Sequence, residues 1–225
     1  MGTEHAYDVA EPGSIGTLAV EGCGLAVLWL CGSRPEIIGT MGGGTWVDRG
    51  PGPFHIYAND YHRVLSWRSG NHTWKCLSKV LTWARSEEDW RRLLEVGPGH
   101  TRLGDLAYQI ELSARPSLHA ATGAAPSASR TDYLRDVVGT LRETARVLLF
   151  HGAAYPEASA MREDLGRVFL GLEERAACKQ VTDAHGIGSM HYDGRTVLFT
   201  RALSMAVSNE YLRAVADHVR AAGGT

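Results

Sequence analysis

The sequence predicts an α/β fold, a three-layer α/β/α arrangement in which helices cover both faces of a mainly parallel central sheet. Three observations lead there. The run 25–31 (LAVLWLC) is short and apolar and stops at Gly32-Ser33-Arg34-Pro35, the pattern of a buried strand bounded by chain breakers. Two more such runs stand at 146–150 and 196–200. From residue 131 onward the pattern alternates helix, strand, helix, strand, strand, helix, which favours parallel strands joined by helical crossovers. With 225 residues, 44% hydrophobic and 21% charged, the chain can bury one sizeable core. It reads as a single domain over 1–225, with residues 1–14 as a loose polar lead-in.

Taken in order, 15–20 is a weak strand and Gly22-Cys23-Gly24 a turn before the main strand at 25–31. The Gly- and Pro-rich stretch 39–53 forms a loop of a length that is usually functional or disordered. The segment 54–61 crowds Phe54, His55, Tyr57, Asn59, Asp60 and Tyr61 together. A helix begins near Asn71, with Trp74, Leu77, Val80 and Leu81 on one face and Lys75 and Lys79 on another. Ser86 and the acids 87–89 cap a second helix at 90–94. Residues 105–112 alternate as a strand does, and 116–130 reads as a flexible Ala/Ser/Pro/Gly loop. Thr131 caps a helix to about Thr144, and 157–172 is helical. Residues 176–181 are extended, a Gly-rich turn follows, and Ser208 or Asn209 caps a last helix to about Ala222.

Net charge is −2, so bulk charge gives no argument for a nucleic-acid partner. Its distribution gives some: between Arg34 and Arg92 nine Lys/Arg face six Asp/Glu, or +3, which leaves −5 for the remainder. Cys23, Cys31, Cys76 and Cys178 share no CxxC spacing and read as reduced, buried thiols of a cytoplasmic protein rather than a zinc or iron–sulfur site. No apolar run approaches the ~18–20 residues of a membrane span, and residues 1–14 show no signal-peptide pattern. His185 and His191 flank a Gly-rich turn but lack a third ligand at metal-binding spacing. There is no P-loop, no Gly-x-Gly-x-x-Gly after the first strand and no Gly-x-Ser-x-Gly, so no cofactor is implied.

In a parallel sheet, polar residues just beyond the carboxyl ends of strands gather at one edge. Gly32–Glu36, His151-Gly152 and Thr200–Ser204 stand in such positions. This layout resembles the uracil-DNA glycosylase superfamily. Gly32-Ser33-Arg34-Pro35 matches the Gly-x-x-Pro that ends the family's first strand. Gly52-Pro53-Phe54, after a run of glycines, is similar to its Gly-x-Pro-Phe. Gln109 sits on the strand where the family carries a base-reading amide. The run ending at His151-Gly152 corresponds to the strand that closes near a small residue, and 200–204 takes the place of the His-Pro-Ser loop, with only Ser204 matching. The resemblance spans 25–222 as order and spacing.

It implies a DNA glycosylase that flips a base out of the helix and hydrolyses its N-glycosidic bond. Two departures argue against plain uracil. The positions inside Gly-x-x-Pro are Ser33 and Arg34 rather than an acid or amide, and Arg201 stands where the family has a late His. Some members excise hypermodified cytosines in phage defence, and the altered positions and roomy loop look like such a member. Bond breaking puts positive charge on the sugar and negative charge on the base. Glu36 or Asp48 is the candidate for stabilising the sugar and orienting water, and His151 or Arg201 for stabilising the departing base. Phe54 would stack on the base, with Gln109 and Asn59 lining its pocket. Ser33, Arg34 and Ser204, with the start of the last helix, would hold phosphate. A nucleoside hydrolase acting on small molecules and a non-catalytic binding module are the alternatives. The tryptophans 74, 83 and 90 read as packing residues.

Overall fold

The computed structural model describes residues 24–28, 46–48, 55–57, 72–94, 106–111, 128–143, 145–151, 159–172, 179–203 and 207–223. The strands are β1 (Gly24–Leu28), β2 (Trp46–Asp48), β3 (His55–Tyr57), β4 (Ala107–Glu111), β5 (Val147–His151), β6 (Val181–Thr182), β7 (Gly188–Tyr192) and β8 (Arg195–Phe199). The helices are α1 (His72–Ala84), α2 (Ala128–Leu141), α3 (Ser159–Leu170) and α4 (Asn209–Gly223), with a short 3₁₀ turn at Trp90–Leu94. The fold is mixed α/β. The strands form one sheet in the order β3-β2-β4-β1-β5-β8-β7-β6.

That sheet is mostly antiparallel, which corrects the expectation of a mainly parallel one. Only β2–β4 and β5–β8 run parallel, while β1 is antiparallel to both of its neighbours, β4 and β5. The reason is that an apolar run such as LAVLW carries no mark of direction; the connections set it. A second cause is β7, a strand the periodicity did not reveal. Asp193-Gly194 joins β7 to β8 with φ of 47° and 68°, the two positive values that a tight two-residue hairpin needs.

All five residues of β5 are buried, because helices lie on both of its faces. Val147 and Leu149 join one core with Leu77, Leu81, Leu212, Val215 and Val219 from α1 and α4. Leu148 and Phe150 join the other with Leu134, Val138, Leu165 and Phe169 from α2 and α3. This two-residue alternation is the pleat of a strand at work. On the second face the rings of Phe150 and Phe199 stack with centroids 5.5 Å apart.

Local chemistry sets the element ends. Ser208 Oγ accepts the Tyr211 N–H at 3.2 Å and caps α4, as the sequence suggested. Arg220, one turn before the end of α4, donates to the carbonyls of Trp83 and Ala84 at the end of α1, where the Trp83 oxygen also accepts the Ser86 N–H. Helix α2 begins at Ala128, so Thr131 lies inside it rather than capping it. Residues 90–94 form a 3₁₀ turn instead of an α-helix, and the expected strand near 176–181 shrinks to Val181–Thr182. Leu77, Val80 and Leu81 are buried as their spacing required, Trp83 packs in the core, and Cys76 is buried beside them. No helix among the described residues is long and apolar enough to cross a membrane.

Candidate functional site

Strands β5 and β8 run side by side in the same direction, with Phe150 opposite Phe199. Their carboxyl ends therefore bring His151 and Thr200–Arg201 to one edge of the sheet. The Thr200 N–H donates to the Phe150 carbonyl at 2.8 Å, and the Thr200 hydroxyl lies 3.2 Å from that same oxygen and 3.1 Å from the Arg201 carbonyl. The next N–H, that of Arg201, donates to the phenolic oxygen of Tyr211 at 2.9 Å. Tyr211 comes from the first turn of α4 and is buried, and burial pushes its pKa up. The Arg201 guanidinium lies over its ring, 5.1 Å from the centroid. Arg201 itself is exposed, and among the described residues no carboxylate forms an ion pair with it.

His151 differs from Arg201 in character. It is buried, and desolvation lowers its pKa from the ordinary 6.5 to about 4. At neutral pH it is an uncharged imidazole, able to donate or accept one hydrogen bond but not to act as a cation.

A second group of polar side chains adjoins Arg201. Asp183 follows the short strand β6, and its Oδ1 accepts the N–H groups of His185 at 2.9 Å and Ile187 at 2.8 Å, closing a compact loop. Its Oδ2 lies 2.8 Å from Nε2 of His218 on α4. Burial opposes ionisation of Asp183, but the His218 bond and the two backbone N–H groups outweigh it and lower its pKa. Gly186 in this loop has φ +77°, and a Cβ there would stand 4.0 Å from Nη2 of Arg201. The loop is thus tied to α4 on one side and lies near the arginine on the other. On β7, Nδ1 of His191 is 2.9 Å from the Thr196 hydroxyl. Among the described residues, no three His, Cys, Asp or Glu side chains gather as metal ligands would.

The other sequence candidates divide by strand direction. β2 is parallel to β4, and both oppose β1, so β2 points the same way as β5 and ends at the same edge with Asp48. The register Asp48, Ile110, Leu25, Phe150 separates Asp48 from β5 by three inter-strand steps, roughly 14 Å at ~4.8 Å each. Gln109 lies within β4 between Ala26 and Val47. β1 corrects the expectation that three strand ends share one edge: Gly24 pairs with His151 and Leu28 with Val147, so its carboxyl end faces the opposite edge. Ser33, Arg34, Glu36, Phe54, Asn59 and Ser204 lie outside the described residues.

Sequence reasoning missed Tyr211, Asp183 and His218. Asp183 two residues before His185-Gly186 carries an Asx-turn signal. Tyr211 and His218 carry none, because their partners are distant in the chain. Comparison with known proteins finds no matching family model, no matching curated protein and no matching solved structure.

Proposed function

We propose that the protein is a DNA glycosylase that flips out a modified or damaged base, such as a hypermodified cytosine of phage DNA, and hydrolyses its N-glycosidic bond to leave an abasic site. The observation that carries this reading is the placement of His151 and Arg201 at the neighbouring carboxyl ends of the parallel strands β5 and β8. A base leaving from C1′ takes negative charge with it. A fixed guanidinium and a neutral imidazole N–H are the groups that stabilise such charge while it develops. The four strands that carry the glycosylase resemblance also stand side by side, as β4-β1-β5-β8. Of the two candidate acids, Asp48 belongs to a strand that ends at this edge, so it takes the role of stabilising the sugar cation and orienting water. Phe54, one residue before the partner of Asp48 in β3, is the candidate wall for the flipped base. The proposed chemistry needs no metal or cofactor, and its setting is the cytoplasm, where unpackaged phage DNA is met.

The test is incubation of the purified protein with single- and double-stranded DNAs carrying uracil, damaged bases or glucosylated cytosine, followed by alkaline cleavage at abasic sites. Abasic sites on at least one modified substrate, formed measurably but far more slowly by Arg201→Ala, are expected. Base release from free nucleosides and none from DNA would replace this reading with a small-molecule hydrolase.

A further inference from the structure

The geometry points to Tyr211 as a positioning residue that holds Arg201 ready for its task. This rests on the proposed glycosylase reading of Arg201. An exposed arginine normally samples many rotamers, and ordering it costs entropy of the size of a substantial interaction. Here that ordering is built into the fold. The Arg201 N–H lies on the β7 side of β8, where the pairing ends at Gly188 opposite Phe199, so it is the first there without a strand partner. The Tyr211 hydroxyl supplies the partner at 2.9 Å, and the ring below supplies a flat, electron-rich face 5.1 Å from the guanidinium. The Asp183 loop, held to α4 by His218, brings Gly186 beside the same guanidinium.

The hydroxyl is what separates this role from packing. A phenylalanine at 211 would fill the core between α4 and the sheet equally well, and the bond that the buried Tyr211 hydroxyl makes is to the arginine main chain. One residue thus fixes the backbone of Arg201 through its oxygen and the side chain through its ring. Arg201 is oriented before any substrate arrives, the condition for electrostatic stabilisation without reorganisation during the reaction.

Tyr211→Phe keeps the ring and removes the oxygen. NMR exchange of the Arg201 amide in this variant should quicken about tenfold, the scale of one hydrogen bond. In abasic-site assays kcat should fall by about the same factor with KM unchanged, since the loss bears on charge that appears only in the transition state. In an Arg201→Ala background the same substitution should cost nothing further. Unchanged amide exchange would overturn the inference, as would a kcat loss that simply multiplies that of Arg201→Ala. If the wild-type protein forms no abasic sites on any substrate, the glycosylase reading falls. The amide-exchange result then decides by itself whether Tyr211 holds Arg201.

Discussion

His151 shows how one buried group makes the edge of the sheet sensitive to pH. Its pKa is about 4 in the folded protein against an ordinary 6.5, because burial penalises the imidazolium. The unfolded chain therefore binds the proton more readily than the folded one between those values. Stability is fully present above about pH 6.5 and is lost as the pH falls toward 4, a loss on the order of 3 kcal/mol from this one group. Asp183 acts in the same sense at lower pH: its carboxylate pKa is lowered in the fold, so its contribution disappears as the pH drops through the folded value. Thermal melts of the wild-type protein at pH 7 and pH 4.5 should differ far more than those of His151→Asn, whose amide cannot titrate. An equal pH response in both proteins would show that His151 is charged or exposed in the fold. None of this was legible in the sequence. His151 was marked by its place after the apolar run VLLF, but its burial depends on which elements cover the end of β5.

At the scale of the element, the β7–β8 hairpin explains why the sheet departs from the expected parallel arrangement. Asp193-Gly194 holds two successive positive φ values, and β7 and β8 pair antiparallel over five residues. Gly194→Ala places a Cβ where the nearest neighbour is Arg146 Nη1 at 3.7 Å, so crowding is slight and the cost is backbone strain. It should destabilise the protein by about 1–2 kcal/mol, read as a lower midpoint in denaturant with an unchanged slope. The dipeptide is a strong hairpin signal when strands flank it. Here the strand before it, 188–192 (GSMHY), does not read as one, because it lacks a clean apolar alternation, with three buried residues followed by two exposed ones. Strands β5 and β8, by contrast, announced themselves within a residue of their ends. Buried on both faces or nearly so, they read as continuous apolar runs. Helix α4 was equally plain: Tyr211, Leu212, Val215, Ala216 and Val219 repeat at helical spacing behind a serine cap.

At the scale of the whole molecule, strand direction puts Asp48 at the end of a strand that shares the Arg201 edge of the sheet. Sequence order alone placed Glu36 and Asp48 in one cleft, since it treated every strand as pointing the same way. The strands do not all point the same way, and Glu36 lies outside the described residues. β2, β5 and β8 end at one edge, while the described end of β1 lies at the other, opposite Val147. Asp48 is on the strand that shares the arginine's edge, four strand spacings from β8, roughly 19 Å between backbones at ~4.8 Å each, a gap that the long arginine side chain and a flipped nucleotide would have to fill together, with the sugar toward the acid and the base toward the cation. Asp48→Asn should then lower the rate of abasic-site formation by about 10²-fold or more, the scale of an essential electrostatic or acid–base group. Affinity for the same DNA should persist, because phosphate contacts supply most of it and neutralising one acid removes none of them. Glu36→Gln should have a much smaller effect on the rate. Losses of equal size in the two variants would require the segment after β1 to return across the sheet to the Arg201 edge. An Asp48→Asn protein that releases base at the wild-type rate would remove this carboxylate from the chemistry altogether.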